Sequence, residues 1–208
     1  MPEPQFDQAT YDKKCKARQA KNKVRMMHHH AYLAKDMEET RKFYEDLLSM
    51  PLIGTWIERT NPVTGEPDNY IHTFFELGDG SCLAFFQFKN VKQNADHAIQ
   101  RFEQINPFTH HIAIEVTDDE ALQDYRKRLD EADYPYVLTD HGYLSSIYLH
   151  DPNGMQVELT TRVPNTDVMM ARAGDDARSI LDRWMAEDDV PTNNFERGAG
   201  WVAKDAKA

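Results

Sequence analysis

Residues 109–116, THHIAIEV, and residues 151–161, DPNGMQVELTT, decide the fold, because they put His111 and Glu158 on two strand-like runs that look as if they face each other. The first run alternates from His111 to Val116 and stops at Thr117-Asp118, where a helix can start. The second follows an Asp-Pro-Asn-Gly turn and carries Glu158 between Met155 and Thr161. An imidazole and a carboxylate buried together can hold a divalent cation. Two ligands alone are too few.

A third ligand emerges when the chain is compared with itself. His111 stands seven residues before Asp118, which opens an amphipathic helix from about Asp119 to Ala132, and strand-like runs follow. His29 stands seven residues before Asp36, with a helix from about Met37 to Leu48 and strand-like runs after it. The offset is 82 residues (111 − 29), and it matches Ala31 with Ala113. Two copies are too few for a solenoid, so the repeat implies a pair of modules whose first strands meet at one shared site. Adjacent strand residues point to opposite sides of a sheet, so the shared register turns His29 and His111 inward and leaves His28, His30 and His110 outward or in loops. Aligning the turn glycines Gly80 and Gly154 sets Ala84 opposite Glu158, and alanine cannot bind a metal.

The chain has 208 residues, 40% hydrophobic and 28% charged, which describes one globular domain or two fused half-domains with ample core. A net charge of −11 argues against a nucleic-acid partner; the one basic stretch, Lys13 to Lys23, reads as a solvated helix. Cys15 and Cys82 are far apart, with no CxxC spacing, which suits a reducing compartment. Without a signal-peptide pattern or a bilayer-length apolar run, the expectation is a soluble cytoplasmic protein with no membrane partner.

Five segments follow. Residues 1–25 form a polar arm, partly helical from Asp7 to Lys21. Residues 26–90 form a first βαβββ module with strands Met27–Leu33, Leu52–Arg59, Asn69–Leu77 and Cys82–Phe88. Residues 91–108 connect the modules, with a short helix near 95–102. Residues 109–162 repeat the order with strands His111–Val116, Tyr136–Thr139, Ser145–His150 and Met155–Thr161. Residues 163–208 form a helical tail in which Asp175-Asp176 cap a helix around Ala177–Glu187, striped by Ile180, Leu181 and Trp184. The segment Thr192 to Ala208 has no assigned place.

The motifs HHAYLAKDMEETRKFYEDLL, HHIAIEVTDDEALQDY and YLHDPNGMQVEL, in this order and spacing over about residues 26–162, resemble the vicinal oxygen chelate superfamily of glyoxalase I, fosfomycin and bleomycin resistance proteins and type I extradiol dioxygenases. The resemblance implies an α+β fold: two tandem βαβββ modules forming a cupped eight-stranded mixed sheet around a metal-binding cavity. It also implies dimers or larger homo-oligomers. Glyoxalase-like members carry a glutamate or similar ligand at the corner occupied here by Ala84, whereas extradiol dioxygenases leave it vacant and bind iron through two histidines and one glutamate. On that pattern His29, His111 and Glu158 hold Fe(II), with Mn(II) or another divalent ion as alternatives.

The same resemblance gives Tyr148, ten residues before Glu158, the role of hydrogen-bonding a substrate hydroxyl; otherwise it is a packed strand tyrosine. It gives His141 a place lining the oxygen or substrate pocket; otherwise it is an exposed turn histidine. The family's acid–base histidine has no counterpart in Leu83 to Phe88, which leaves His97 and His72 as candidates. The expected activity is extradiol cleavage of a catecholic aromatic with dioxygen as co-substrate. The alternatives are a glyoxalase-like lyase or isomerase that uses the metal as a Lewis acid, and a non-catalytic resistance-type binding protein.

Overall fold

Two aspartates start the two module helices in the same way. Asp36 Oδ1 accepts the backbone N–H of Glu39 at 2.9 Å, and Asp118 Oδ1 accepts that of Ala121 at 2.9 Å. Each satisfies an orphan donor of the first turn. The structure is a computed structural model that describes residues 6–24, 26–62, 64–89, 109–141, 144–163, 166–188, 190 and 202–204. Helix α1 spans Gln8–Lys21. The first module comprises β1 (His29–Leu33), α2 (Met37–Arg41, continuing as a π-helical segment Lys42–Leu47), β2 (Leu52–Thr60), β3 (Pro67–Glu76) and β4 (Cys82–Phe88). The second comprises β5 (His111–Glu115), α3 (Asp119–Glu131), β6 (Tyr136–Asp140), β7 (Leu144–His150) and β8 (Gln156–Arg162); α4 (Thr166–Met185) and β9 (Val202–Lys204) follow.

The fold is α+β, two tandem βαβββ modules. Their eight strands are hydrogen-bonded as two mixed sheets, β1-β4-β3-β2 and β5-β8-β7-β6, with β9 added to the second on β6. The strands begin and end within two residues of the sequence expectation. The short helix near 95–102 lies outside the described residues. The tail needs a correction: Asp175 and Asp176 do not cap a helix, because α4 already starts at Thr166 and runs through them and through Gly174. A mid-helix glycine costs only about 1 kcal/mol against alanine, which twenty residues of helix absorb. The unassigned end supplies β9, paired antiparallel to Tyr136–Leu138.

The repeat is exact in register. In the first sheet β1 and β4 run parallel with His29 beside Cys82 and Ala31 beside Ala84. In the second, β5 and β8 run parallel with His111 beside Gln156 and Ala113 beside Glu158. Ahead of β4 and β8 stand Gly80 (φ 83°) and Gly154 (φ 91°), a backbone state costly for any residue with a Cβ.

One core serves both modules. It gathers Phe75, Leu83 and Phe85 from the first sheet, Ile147, Leu149, Val157 and Leu159 from the second, and Phe43, Tyr44, Leu48, Leu122 and Leu129 from the helices. The π-helical turn, where Leu48 N–H reaches Phe43 O, lets the consecutive Phe43 and Tyr44 both be buried. Polar bonds lock the junction: Tyr44 Oη donates to Asp151 Oδ2 at 3.0 Å, Lys35 N–H to Asn153 Oδ1 at 2.8 Å, and Tyr125 Oη to Leu48 O at 2.9 Å. Burial pushes the Asp151 carboxyl up, partly offset by donors from Asn153, Met155 and Tyr44. Among the described residues no helix is long and apolar enough to cross a membrane.

Candidate metal centre

Strand pairing assembles this site from β5, β7 and β8. Residues paired across a ladder share a face, so His111, Gln156 and Glu158 lie on the same side as Tyr148, which pairs with Glu158, and Ser146, which pairs with Thr160. His111 Nε2 stands 3.1 Å from Glu158 Oε2; the carboxylate side chain is only 6% exposed, the imidazole 30%. Ser146 Oγ donates to the other carboxylate oxygen, Oε1, at 2.6 Å, and lies 3.0 Å from Thr160 Oγ1. Glu158 is thus fixed through one oxygen while the second faces His111. A spacing of 3.1 Å is close to the roughly 3 Å that separates neighbouring ligands at right angles on an ion with bonds of about 2.1 Å. The pair is thus an imidazole–carboxylate contact at hydrogen-bond distance whose spacing also suits two adjacent ligands of one divalent ion.

Tyr148 and His141 meet at the edge of this pair. The His141 Nε2 to Tyr148 Oη distance is 2.9 Å, and the Tyr148 ring sits edge-on to His111 with centroids 5.9 Å apart. Two residues singled out for separate roles are therefore hydrogen-bonded to each other.

His29 lies elsewhere. It is exposed on β1, with its Nδ1 2.8 Å from His28 Nδ1 and its ring 5.3 Å from Phe74 and 6.2 Å from His72. It shares its sheet face with Cys82 and Ala84, as His111 shares its own with Gln156 and Glu158. Among the described residues no three His, Cys, Asp or Glu side chains are brought together as a metal-binding group, so one chain does not join His29 to His111 and Glu158. His30 occupies the opposite face, where its Nδ1 is hydrogen-bonded to Tyr32 Oη, and His110 is exposed. His97 lies outside the described residues. His72 packs flat on Phe86, and burial, with the nearby charge of His29, holds it below the ordinary histidine range.

A family model described as the Glyoxalase/Bleomycin resistance protein/Dioxygenase superfamily matches residues 26–159, well over half of the chain. The chain belongs to that superfamily. No curated protein matches it. Among solved structures it is similar to a glyoxylase/bleomycin resistance protein/dioxygenase domain from Frankia sp. EAN1pec, at 13% identity and TM-score 0.51, covering 67% of this chain and 92% of that one. It is also similar to a glyoxalase/dioxygenase from Nostoc punctiforme, at 20% identity and TM-score 0.47, covering 68% and 93%. A third is the fosfomycin resistance protein FosX from Listeria monocytogenes, complexed with Mn(II) and sulfate ion, at 15% identity and TM-score 0.45, covering 69% and 96%.

In this member of the superfamily, sequence reasoning missed Ser146. Its signal was the alternation of β7: Ser146 stands two residues before Tyr148 and so shares the face of Glu158. A serine carries no motif of its own.

Proposed function

We propose that this protein is a metal-dependent extradiol-type ring-cleavage dioxygenase acting on a catecholic aromatic, with His29, His111 and Glu158 as ligands of Fe(II). One observation carries the reading. In the first module Ala84 holds the register position that Glu158 holds in the second, so the fourth corner offers no donor, and two histidines plus one carboxylate remain. Fe(II) in such a set supplies a Lewis-acidic centre with open positions for a chelating substrate and dioxygen.

The chain's own residues divide the remaining work. Ser146 holds Glu158 Oε1 and so fixes the direction in which Oε2 presents its charge. Tyr148 hydrogen-bonds a substrate hydroxyl, and His141, 2.9 Å from the phenol oxygen, exchanges the proton that this bond moves. The pair thereby covers the acid–base role for which the sequence offered only His97 and His72. A second copy of the chain delivers its exposed His29 to His111 and Glu158. Support for this comes from the exposure of both histidines and from β1 and β5, each bonded on one side only among the described strands.

The test is a panel of catechols offered to protein loaded with Fe(II) without oxygen and then exposed to it. At least one catechol should consume dioxygen in equal amount and give a yellow ring-opened product. Tyr148→Phe should slow turnover roughly 10- to 1000-fold with the iron still bound. If no catechol reacts, while a hemithioacetal or another α-hydroxycarbonyl compound isomerises with Ni(II), Zn(II) or Mg(II) bound, the dioxygenase reading is lost to the lyase or isomerase alternative.

A further inference from the structure

The two histidine-bearing sheet faces have the same backbone and opposite chemistry. Where the second module pairs Ser146 with Thr160 and Tyr148 with Glu158, the first pairs His72 with Phe86 and Phe74 with Ala84. Ser146, Tyr148, Glu158 and Thr160 are thus answered by rings and a methyl group, while His111 is answered by His29 and Gln156 by Cys82. The rings form a continuous wall. His72 stacks on Phe86 at 3.7 Å between centroids and 15° between planes, Phe74 lies 4.4 Å from His72, and Trp56 meets Phe74 edge-on at 4.9 Å.

Two details set this wall apart from ordinary sheet packing. Trp56 is 52% exposed, yet its indole is laid across Gly54, where a Cβ would stand 2.7 Å from two ring carbons. The absence of a side chain at Gly54 thus leaves room for the indole, which stands edge-on to Phe74 and stays open to solvent beside the half-buried rings of His72, Phe74 and Phe86. His72 Nε2, in addition, is buried with no hydrogen-bond partner among the described residues, a costly state that a hydroxyl on a bound ring relieves. His29, 5.3 Å from Phe74, joins the wall to the candidate ligand set.

We propose that Trp56, His72, Phe74 and Phe86 form an aromatic-ring subsite beside His29 that selects flat, ring-hydroxylated substrates over aliphatic chelators. The proposal rests on the reading of His29 as a member of the metal centre. Rings offered to this wall gain edge-to-face and stacked contacts that a saturated ring of equal size does not.

The experiment separates the wall from the metal. 4-Nitrophenol, which carries one ring hydroxyl and does not chelate, is titrated into metal-free protein and followed by its absorption, with cyclohexanol as a competing saturated alcohol. 4-Nitrophenol should saturate, with cyclohexanol about tenfold weaker as a competitor. Trp56→Leu, and Gly54→Ala, which keeps every ring but lifts the indole, should each weaken the dye about three- to tenfold. Circular dichroism reports that the sheets are intact, and Zn(II) uptake should be unchanged in both variants. Equal binding of dye and cyclohexanol, or binding indifferent to both substitutions, would overturn the subsite. Loss of Zn(II) uptake on His29→Ala is the separate check on the metal reading; if uptake persists there while ring selectivity holds, the metal reading fails and the wall stands.

Discussion

Ser146 sets the orientation of the buried Glu158, since its hydroxyl engages Oε1 and leaves Oε2 toward His111. A carboxylate that can rotate presents its charge in many directions, and groups that hold a ligand in place are typically worth roughly 10- to 100-fold in metal affinity. Ser146→Ala should therefore weaken metal binding by about that factor in a chelator competition, while urea unfolding shows a loss of about 1.5–3 kcal/mol, the worth of one hydrogen bond to a charged group. Unchanged affinity would mean that Glu158 is held by its packing alone. Tyr148 was singled out through the resemblance, which implies a tyrosine ten residues before the glutamate, and the β7–β8 hairpin pairs it with Glu158. His141 was not legible as its partner, because the bond between them forms only once β6 and β7 pair.

At the scale of elements, helix α2 and the turn between β7 and β8 are fastened through Tyr44, Asp151 and Asn153. Burial raises the Asp151 carboxyl above its ordinary value, so the folded protein holds this proton more tightly than the unfolded chain does. The resulting contribution to stability is fully present below the unfolded pKa, about 3.9, and is lost as the pH rises through the folded one. Asp151→Asn removes this titration. The stability of wild type minus that of the variant, from urea unfolding, should accordingly fall as the pH is raised from about 4 toward neutrality. A difference that grows over this range would show that the hydrogen bonds to the carboxylate outweigh its burial. The sequence marked this turn through Asp-Pro-Asn-Gly but said nothing of Tyr44, because the contact spans 107 positions and arises only when the modules pack.

At the scale of the whole molecule, a site shared between two copies makes a prediction that a site within one chain does not. His29→Ala and Glu158→Gln should each abolish most metal uptake. If the proteins are unfolded, mixed in equal amounts and refolded together, about one quarter of the wild-type sites should return: half of random dimers are mixed, and each mixed dimer has one intact site of its two. Metal analysis of the mixture, with light scattering to confirm dimers, reads the result. No recovery in a dimeric mixture would mean that the ligands come from a single chain or that the set is wrong.

The sequence by itself determined the modules and their register. The Asp36 and Asp118 caps, the alternation of the strands and the two turn glycines are local signals, so an 82-residue comparison of the chain with itself was enough to align His29 with His111 and Ala84 with Glu158. The tertiary structure alone decided how those aligned positions differ in company. Ser146 fastens Glu158, Phe74 and Trp56 build a ring wall beside His29, and one shared core packs both modules while His29 stays apart from His111 and Glu158. The physical reason is range. Caps, turns and strand alternation are written within a few residues, whereas the meeting of side chains across a sheet or between modules depends on packing that no local pattern encodes.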